Sequence, residues 1–226
     1  MVFDYDGTLT LENGLLPEPT RKILHEIKRL DLALLGIVSG RDLEFLLKVN
    51  ESLSRPFSFL VAENGALSYF ANKEEKLVKG IEWTREARRA FSTVDFPIHF
   101  FEIIASSKKE FSSNVSMALN ESHLEAKIVL NKDSIMVLPP NVDKGTGVSS
   151  AIEHYAQTKN MTLTCFGDGE NDEALFGPAD HSVAVSNAVP SLKKIADSIT
   201  TQPGGLGVVE YLTSKFHPFA KSCLED

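Results

Sequence analysis

Apolar residues fall along this chain in two alternating patterns. Residues 1–3, 32–38, 59–62, 162–166 and 182–185 are short, nearly unbroken apolar runs, and such runs predict strands buried on both faces. Between them, Ile23, Leu24, Ile27 and Leu30 recur at helical spacing behind Pro17 and Pro19, and proline is tolerated in the first turn of a helix. Residues 42–49, a segment from Lys144 to about Lys159, residues 190–196 and a short closing segment after Gly204-Gly205 also predict helices. Residues 9–16, mixed in polarity around Gly14, predict a small flap. Strands alternating with helices make an α/β fold, a doubly wound and mainly parallel sheet. Ligands of such sheets bind beyond the carboxyl ends of the strands.

From about Ser68 to Pro140 the rhythm changes. Residues 83–94 predict an amphipathic helix with Arg85, Arg88 and Arg89 on its polar side. Segments 98–105, 125–130 and 134–138 predict strands, with a polar helical stretch over 108–121, and Asn131-Lys132-Asp133-Ser134 predicts a hairpin. Antiparallel hairpins are foreign to a parallel core, so this stretch is expected to be an inserted small α+β cap. The expected division is 1–79 and 139–226 for the core and 80–138 for the cap, with Pro139-Pro140 marking the return.

Composition narrows the partners. A chain of 226 residues can bury a sizeable core, and a net charge of -8 offers no basic field for nucleic acid or an anionic membrane. Cys165 lies in an apolar run and Cys223 in the tail, which forms no disulfide framework and fits a reducing cytoplasm. No apolar run reaches membrane-spanning length, and acidic residues at 4 and 6 leave no room for a signal peptide ahead of them. The histidines show no ligand spacing, which argues against zinc. A monomer or small homo-oligomer is expected.

Every polar cluster follows a predicted strand. The first strand runs into Asp4 and Asp6, two residues apart and so expected on one side of an extended chain, and Gly7 then allows a sharp turn. The Thr8 hydroxyl is placed to fix the second carboxylate. Two like charges this close need a cation between them or a proton on one. The pair therefore reads as a hard-metal site, a nucleophile with its acid, both, or an Asp-rich turn. Later clusters are Ser39-Gly40-Arg41, where Ser39 also reads as a helix cap, Glu63-Asn64-Gly65, Lys144-Gly145 and Ser186-Asn187-Ala188. In Gly167-Asp168-Gly169-Glu170-Asn171-Asp172, a helix starting at 170 puts Asp168 and Asp172 on one side of the turn.

In this order Asp4-Tyr5-Asp6-Gly7-Thr8, Ser39-Gly40-Arg41, Lys144-Gly145 and the 167–172 stretch resemble the four motifs of the haloacid dehalogenase-like (HAD) phosphatases. A cap between the second and third motifs, with Asn64-Gly65 and Asn187-Ala188, resembles the Cof-type branch. The resemblance implies a phosphomonoesterase. Its substrate is a dianion that repels an attacking carboxylate unless a divalent cation neutralises the approach. Asp4 is the expected nucleophile, giving an aspartyl-phosphate, and Asp6 the expected acid and base. Mg²⁺ is the implied cofactor, held by Asp4, the Asp6 carbonyl, Asp168 and, through water, Asp172. Ser39, with backbone N–H groups of Gly40 and Gly7, is expected to hold phosphoryl oxygens, and Lys144 to supply positive charge. Asn171 either donates to phosphate or anchors the metal loop, and Asn64 and Asn187 are further substrate-binding candidates. A small cap favours a small phosphorylated metabolite, phosphoglycolate or a sugar phosphate. A sugar phosphomutase would use the same nucleophile but exclude water.

Overall fold

The computed structural model describes residues 1–131, 133–155 and 161–217. The chain runs through β1 (Val2–Asp4), α1 (Glu18–Arg29), β2 (Gly36–Val38), α2 (Leu43–Ser52) and β3 (Phe59–Ala62), then adds β4 (Leu67–Phe70) and β5 (Glu75–Val78). Next come α3 (Ile81–Ala90), β6 (His99–Phe100), β7 (Ala105–Lys108), α4 (Ser112–Glu121), β8 (Lys127–Asn131) and β9 (Ser134–Leu138). The last third holds α5 (Lys144–Tyr155), β10 (Thr164–Gly167), α6 (Glu173–Phe176), β11 (His181–Ala184), α7 (Pro190–Ile195), β12 (Ser198–Ile199) and α8 (Gly204–Lys215). The expected end of the fifth helix beyond residue 155 and Cys223 lie outside the described residues.

One sheet has the order β12-β11-β10-β1-β2-β3-β4-β5. It is parallel from β12 to β3, and β4 and β5 extend it antiparallel. This is the doubly wound α/β fold that the alternation of runs and helices predicts. β1 is central because it is apolar on both faces: Phe3 is fully buried and stacks on Phe166 at 4.7 Å between ring centroids. The chain leaves β1 for β2 on one side and returns much later to β10 on the other, so the crevice beyond β1 and β10 is the switch point of the sheet.

β2 and the stretch after β3 differ from the sequence reading. Residues 32–35 stay outside β2, because β1 offers its first rung at Val2↔Gly36 and the Met1 amine donates to the Leu34 carbonyl at 2.7 Å instead. The change of rhythm at Ser68 is a hairpin of the same sheet, with Leu67 and Phe70 buried in its core and Phe70 opposite Phe59. No helix among the described residues is long and apolar enough to cross a membrane.

A second sheet, order β6-β7-β9-β8 and antiparallel throughout, has its own core in which Trp83, Ala87 and Phe91 of α3 and its C-cap and Val115 and Leu119 of α4 meet Ala105, Ile135 and Val137. α3 stops at Ala90, short of the expected 94; Arg85, Arg88 and Arg89 are exposed, and Arg88 lies over the Phe100 ring at 4.5 Å. The expected strand over 98–105 is broken at 101–104. There the buried Glu63 carboxylate, carried on a positive-φ turn after β3, accepts from the N–H groups of Glu102 (3.1 Å), Ile103 (2.8 Å) and Ile104 (3.0 Å). Amides that satisfy a carboxylate are withdrawn from the strand ladder, which is why β6 and β7 are separate. Beside Glu63, Gly65 (φ +103) lets this turn pack on the start of α5: an added Cβ would lie 2.0 Å from the Asp143 carbonyl oxygen.

Replacing Glu63 by alanine leaves three N–H groups without their acceptor. Glu63→Ala is expected to lower unfolding free energy by about 3 kcal/mol in urea titration and to speed hydrogen exchange at the Ile103 and Ile104 amides. Unchanged exchange there would refute the clamp.

Candidate active site

The polar clusters meet beyond the carboxyl ends of β1, β2, β3 and β10. Asp4 ends β1, Ser39 follows β2, Asn64 follows β3, Asp168 follows β10 and Lys144 opens α5. Lys144 is 2% exposed, and its Nζ donates to Asp4 Oδ1 at 2.7 Å and to Asp172 Oδ1 at 2.6 Å. The other Asp172 oxygen accepts from the N–H groups of Asp168 and Gly169, both at 2.9 Å, and so shapes the loop that presents Asp168. Carboxylate oxygens of Asp4, Asp168 and Asp172 lie within 4.8 Å of one another.

Burial, with Asp172 and Asp168 alongside, pushes Asp4 well above the usual carboxylate range against the pull of Lys144. Burial also works against the Lys144 ammonium, but Asp172 and Asp4 outweigh it and hold its pKa above the ordinary lysine value. Asp4, Asp168 and Asp172 bring three hard oxygen donors within reach of one ion, and a divalent cation such as Mg²⁺ fits that set. Cys165, by contrast, is pushed up to about 12 by burial and is no nucleophile.

Asp6 stands apart from this cluster. β1 ends at Asp4 and the chain turns at once, the Leu9 N–H donating to the Tyr5 carbonyl at 3.0 Å, so the two carboxylates do not share one side of a strand. Asp6 meets Arg41 through a two-pronged pair, Nε to Oδ2 at 3.0 Å and Nη2 to Oδ1 at 2.9 Å. The Thr8 hydroxyl donates to Asp168 Oδ1 at 2.9 Å, not to Asp6. Gly7, at φ +88, makes that possible, since a Cβ there would lie 2.3 Å from Asp168 Oδ2.

The remaining candidates divide. Ser39 is buried and does not cap α2; its Oγ accepts from the Arg41 N–H at 3.1 Å, and the cap is Asp42, which accepts from the Phe45 N–H at 2.7 Å. Asn171 and Asn64 approach each other at 3.5 Å. Asn187 has both ends of its amide committed to backbone, donating to the Gly7 carbonyl at 3.0 Å and accepting from the Gly204 N–H at 2.7 Å. It ties the first turn to α8 from a place on the cavity wall. Asp4, Asp6, Ser39, Gly40, Lys144, Asp168, Asn171 and Asn187 line one cavity of about 350 Å³, a size suited to a small ligand.

A family described as haloacid dehalogenase-like hydrolase matches this chain over residues 1–91 and 97–212. The chain belongs to the haloacid dehalogenase-like hydrolases. The second sheet is built from residues between Ser39-Gly40-Arg41 and Lys144-Gly145. Among its relatives, phosphoglycolate phosphatase 2 of Saccharolobus solfataricus is 33% identical over 219 residues, covering 92% of this chain and 88% of the relative. Among solved structures, a haloacid dehalogenase-like hydrolase from Bacteroides thetaiotaomicron superposes with TM-score 0.80 at 20% identity, over 95% of this chain and 98% of that one. A HAD subclass IIB sugar phosphatase superposes with TM-score 0.69 at 20% identity, over 88% and 92% of the two chains. This HAD hydrolase is a phosphatase.

Sequence reasoning passed over Arg41 as a partner of Asp6 and Met136 as a neighbour of the site. The parallel register Asp4↔Val38 carries the first signal, because it sets the turn after β1 beside the turn after β2. Removing the cation between the two buried carboxylates is the direct test of this site's construction. Lys144→Met is expected to cost about 3–5 kcal/mol in chemical denaturation, since it strands buried charge. A loss under about 1 kcal/mol, the range of an exposed pair, would refute it.

Proposed function

We propose that this phosphatase hydrolyses a small phosphomonoester, phosphoglycolate or else a sugar phosphate, through an aspartyl-phosphate on Asp4 with Mg²⁺ as cofactor. The observation that carries the reading is the buried Asp4 on the wall of a cavity of about 350 Å³, fixed by Lys144 and flanked by Asp168 and Asp172. The name of the Saccharolobus relative supports phosphoglycolate, and the small cavity supports a compact leaving group. Mg²⁺ would be held by the carboxylates of Asp4 and Asp168 and the Asp6 carbonyl, with Asp172 behind them. When bound it supplies the charge neutralisation that lets a carboxylate approach a phosphoryl dianion.

The residues then divide the work. Ser39 and the backbone N–H groups of Gly40 and Gly7 hold phosphoryl oxygens, and Lys144 fixes the Asp4 carboxylate and offsets its charge. An Asp4 oxygen bonds to phosphorus as the bond from phosphorus to the leaving oxygen breaks, and Asp6 gives that oxygen its proton. Water then attacks the phosphorus of the aspartyl-phosphate, Asp6 takes a proton from it, and the bond from phosphorus to Asp4 breaks to release phosphate. For both transfers the Asp6 carboxyl has to turn from Arg41 toward the reacting oxygen. Residues 80–138 act as the cap that covers the site. Met136 on β9 supports that role, because its sulfur accepts from Asn64 Nδ2 at 2.7 Å.

Phosphate release from a panel of small esters tests the reading. Turnover is expected with Mg²⁺, to be lost in EDTA, and to fall to background in Asp4→Asn while the circular dichroism spectrum is unchanged. Turnover that persists in Asp4→Asn would exclude the aspartyl-phosphate route, and isomerisation of a sugar phosphate without net phosphate release would identify a mutase.

A further inference from the structure

We propose that Arg41 selects the substrate by pairing its guanidinium with a carboxylate on the leaving group, so that the preferred esters are phosphorylated short hydroxy acids. The inference rests on the phosphatase reading above and assigns the group that distinguishes one ester from another.

Charge around the cavity motivates it. Its lining includes Asp4, Asp6, Glu12, Asp168 and Glu170, and among the described residues that line it Lys144 is the one cation. Lys144 Nζ is already shared between two carboxylates. A leaving group with a negative charge of its own therefore faces a largely acidic lining, and Arg41, outside the lining but paired with Asp6 of it, is the cation it can reach once Asp6 moves. The guanidinium is held in place independently of Asp6: it lies 4.8 Å from the centroid of the Phe45 ring, which packs edge-on against Tyr5 at 5.3 Å. Its side chain is 53% exposed, so it is open to a ligand from the solvent side.

Chemistry then points to the partner. When the Asp6 carboxyl turns to the leaving oxygen, the fork of Arg41 loses the carboxylate that now fills it. A substrate carboxylate one methylene from that oxygen arrives where Asp6 departed, and a planar fork takes one carboxylate as readily as another. An ester without a carboxylate leaves the fork to water. The exchange therefore favours the acid ester at the step where Asp6 is engaged. Met136 limits how far such a leaving group can extend, for its sulfur lies 3.1 Å from where a Cβ on Gly40 would be, close over the Ser39-Gly40 turn.

The test compares 2-phosphoglycolate with ethyl phosphate, equal in carbon number but lacking the carboxylate, in wild type, Arg41→Gln and Arg41→Lys with Mg²⁺ present. The ratio of kcat/KM for the two esters is expected to favour phosphoglycolate in wild type and to fall about 10- to 100-fold in Arg41→Gln, mainly through KM. Arg41→Lys, which keeps the charge but not the fork, is expected between the two. If Arg41→Gln slows both esters by the same factor, Arg41 acts only by positioning Asp6 and the proposal is overturned. A wild type that cleaves ethyl phosphate as well as phosphoglycolate also overturns it while leaving the phosphatase reading intact. A wild type that cleaves no ester at all removes that reading, and this inference with it.

Discussion

The buried ammonium of Lys144 between Asp4 and Asp172 is the contact on which the rest of the site depends. A buried charge without a partner costs several kcal/mol, so each of these three groups is tolerable only where the other two are. The constraint spreads outward through hydrogen bonds. Asp172 uses its second oxygen on the backbone of the loop after β10, and that loop carries Asp168, which is tied to the first turn by Thr8. The Gly65 turn packs against the start of α5, where Lys144 sits. Three stretches far apart along the chain thus form one anionic floor.

Asp4 and Asp6 are two residues apart and live in different solvents. Asp4 is buried at the cavity wall and braced by Lys144, and burial, with Asp172 and Asp168 alongside, raises its pKa; Asp6 is partly exposed and paired with a surface guanidinium. Different surroundings are how one fold assigns different work to like side chains. In the proposed reaction Asp4 as nucleophile gains from being fixed, because every misplacement raises the barrier. Asp6, which in that reaction meets two different oxygens, gains from being able to turn.

The second sheet follows another logic. Its core is separate from that of the first sheet, yet Glu63 holds its 102–104 bend, and Met136 and Leu138 belong to the larger apolar cluster. One face packs on its own helices, and the other contributes Met136 and Leu138 to the larger cluster. Changes to its helices need not disturb the anionic floor.

Much of this architecture could be read from local order. Unbroken apolar runs such as 59–62 need burial on both faces, and a polar residue that stops such a run marks where a strand ends. That is why Asp4, Ser39, Asn64 and Asp168 could be placed at strand ends and Lys144 at a helix start without coordinates. Pairings between distant stretches could not be read in the same way. Thr8 found Asp168 across 160 positions and not its near neighbour Asp6, Asn187 was claimed by Gly7 and Gly204, and Glu63 broke a strand 40 residues away. Arg41 met Asp6 only because two parallel strands align Asp4 with Val38. Periodicity is a local property of the chain and settles which face of each element is apolar. The partner of a polar side chain depends on register and packing between elements, and these exist only once the chain has closed on itself.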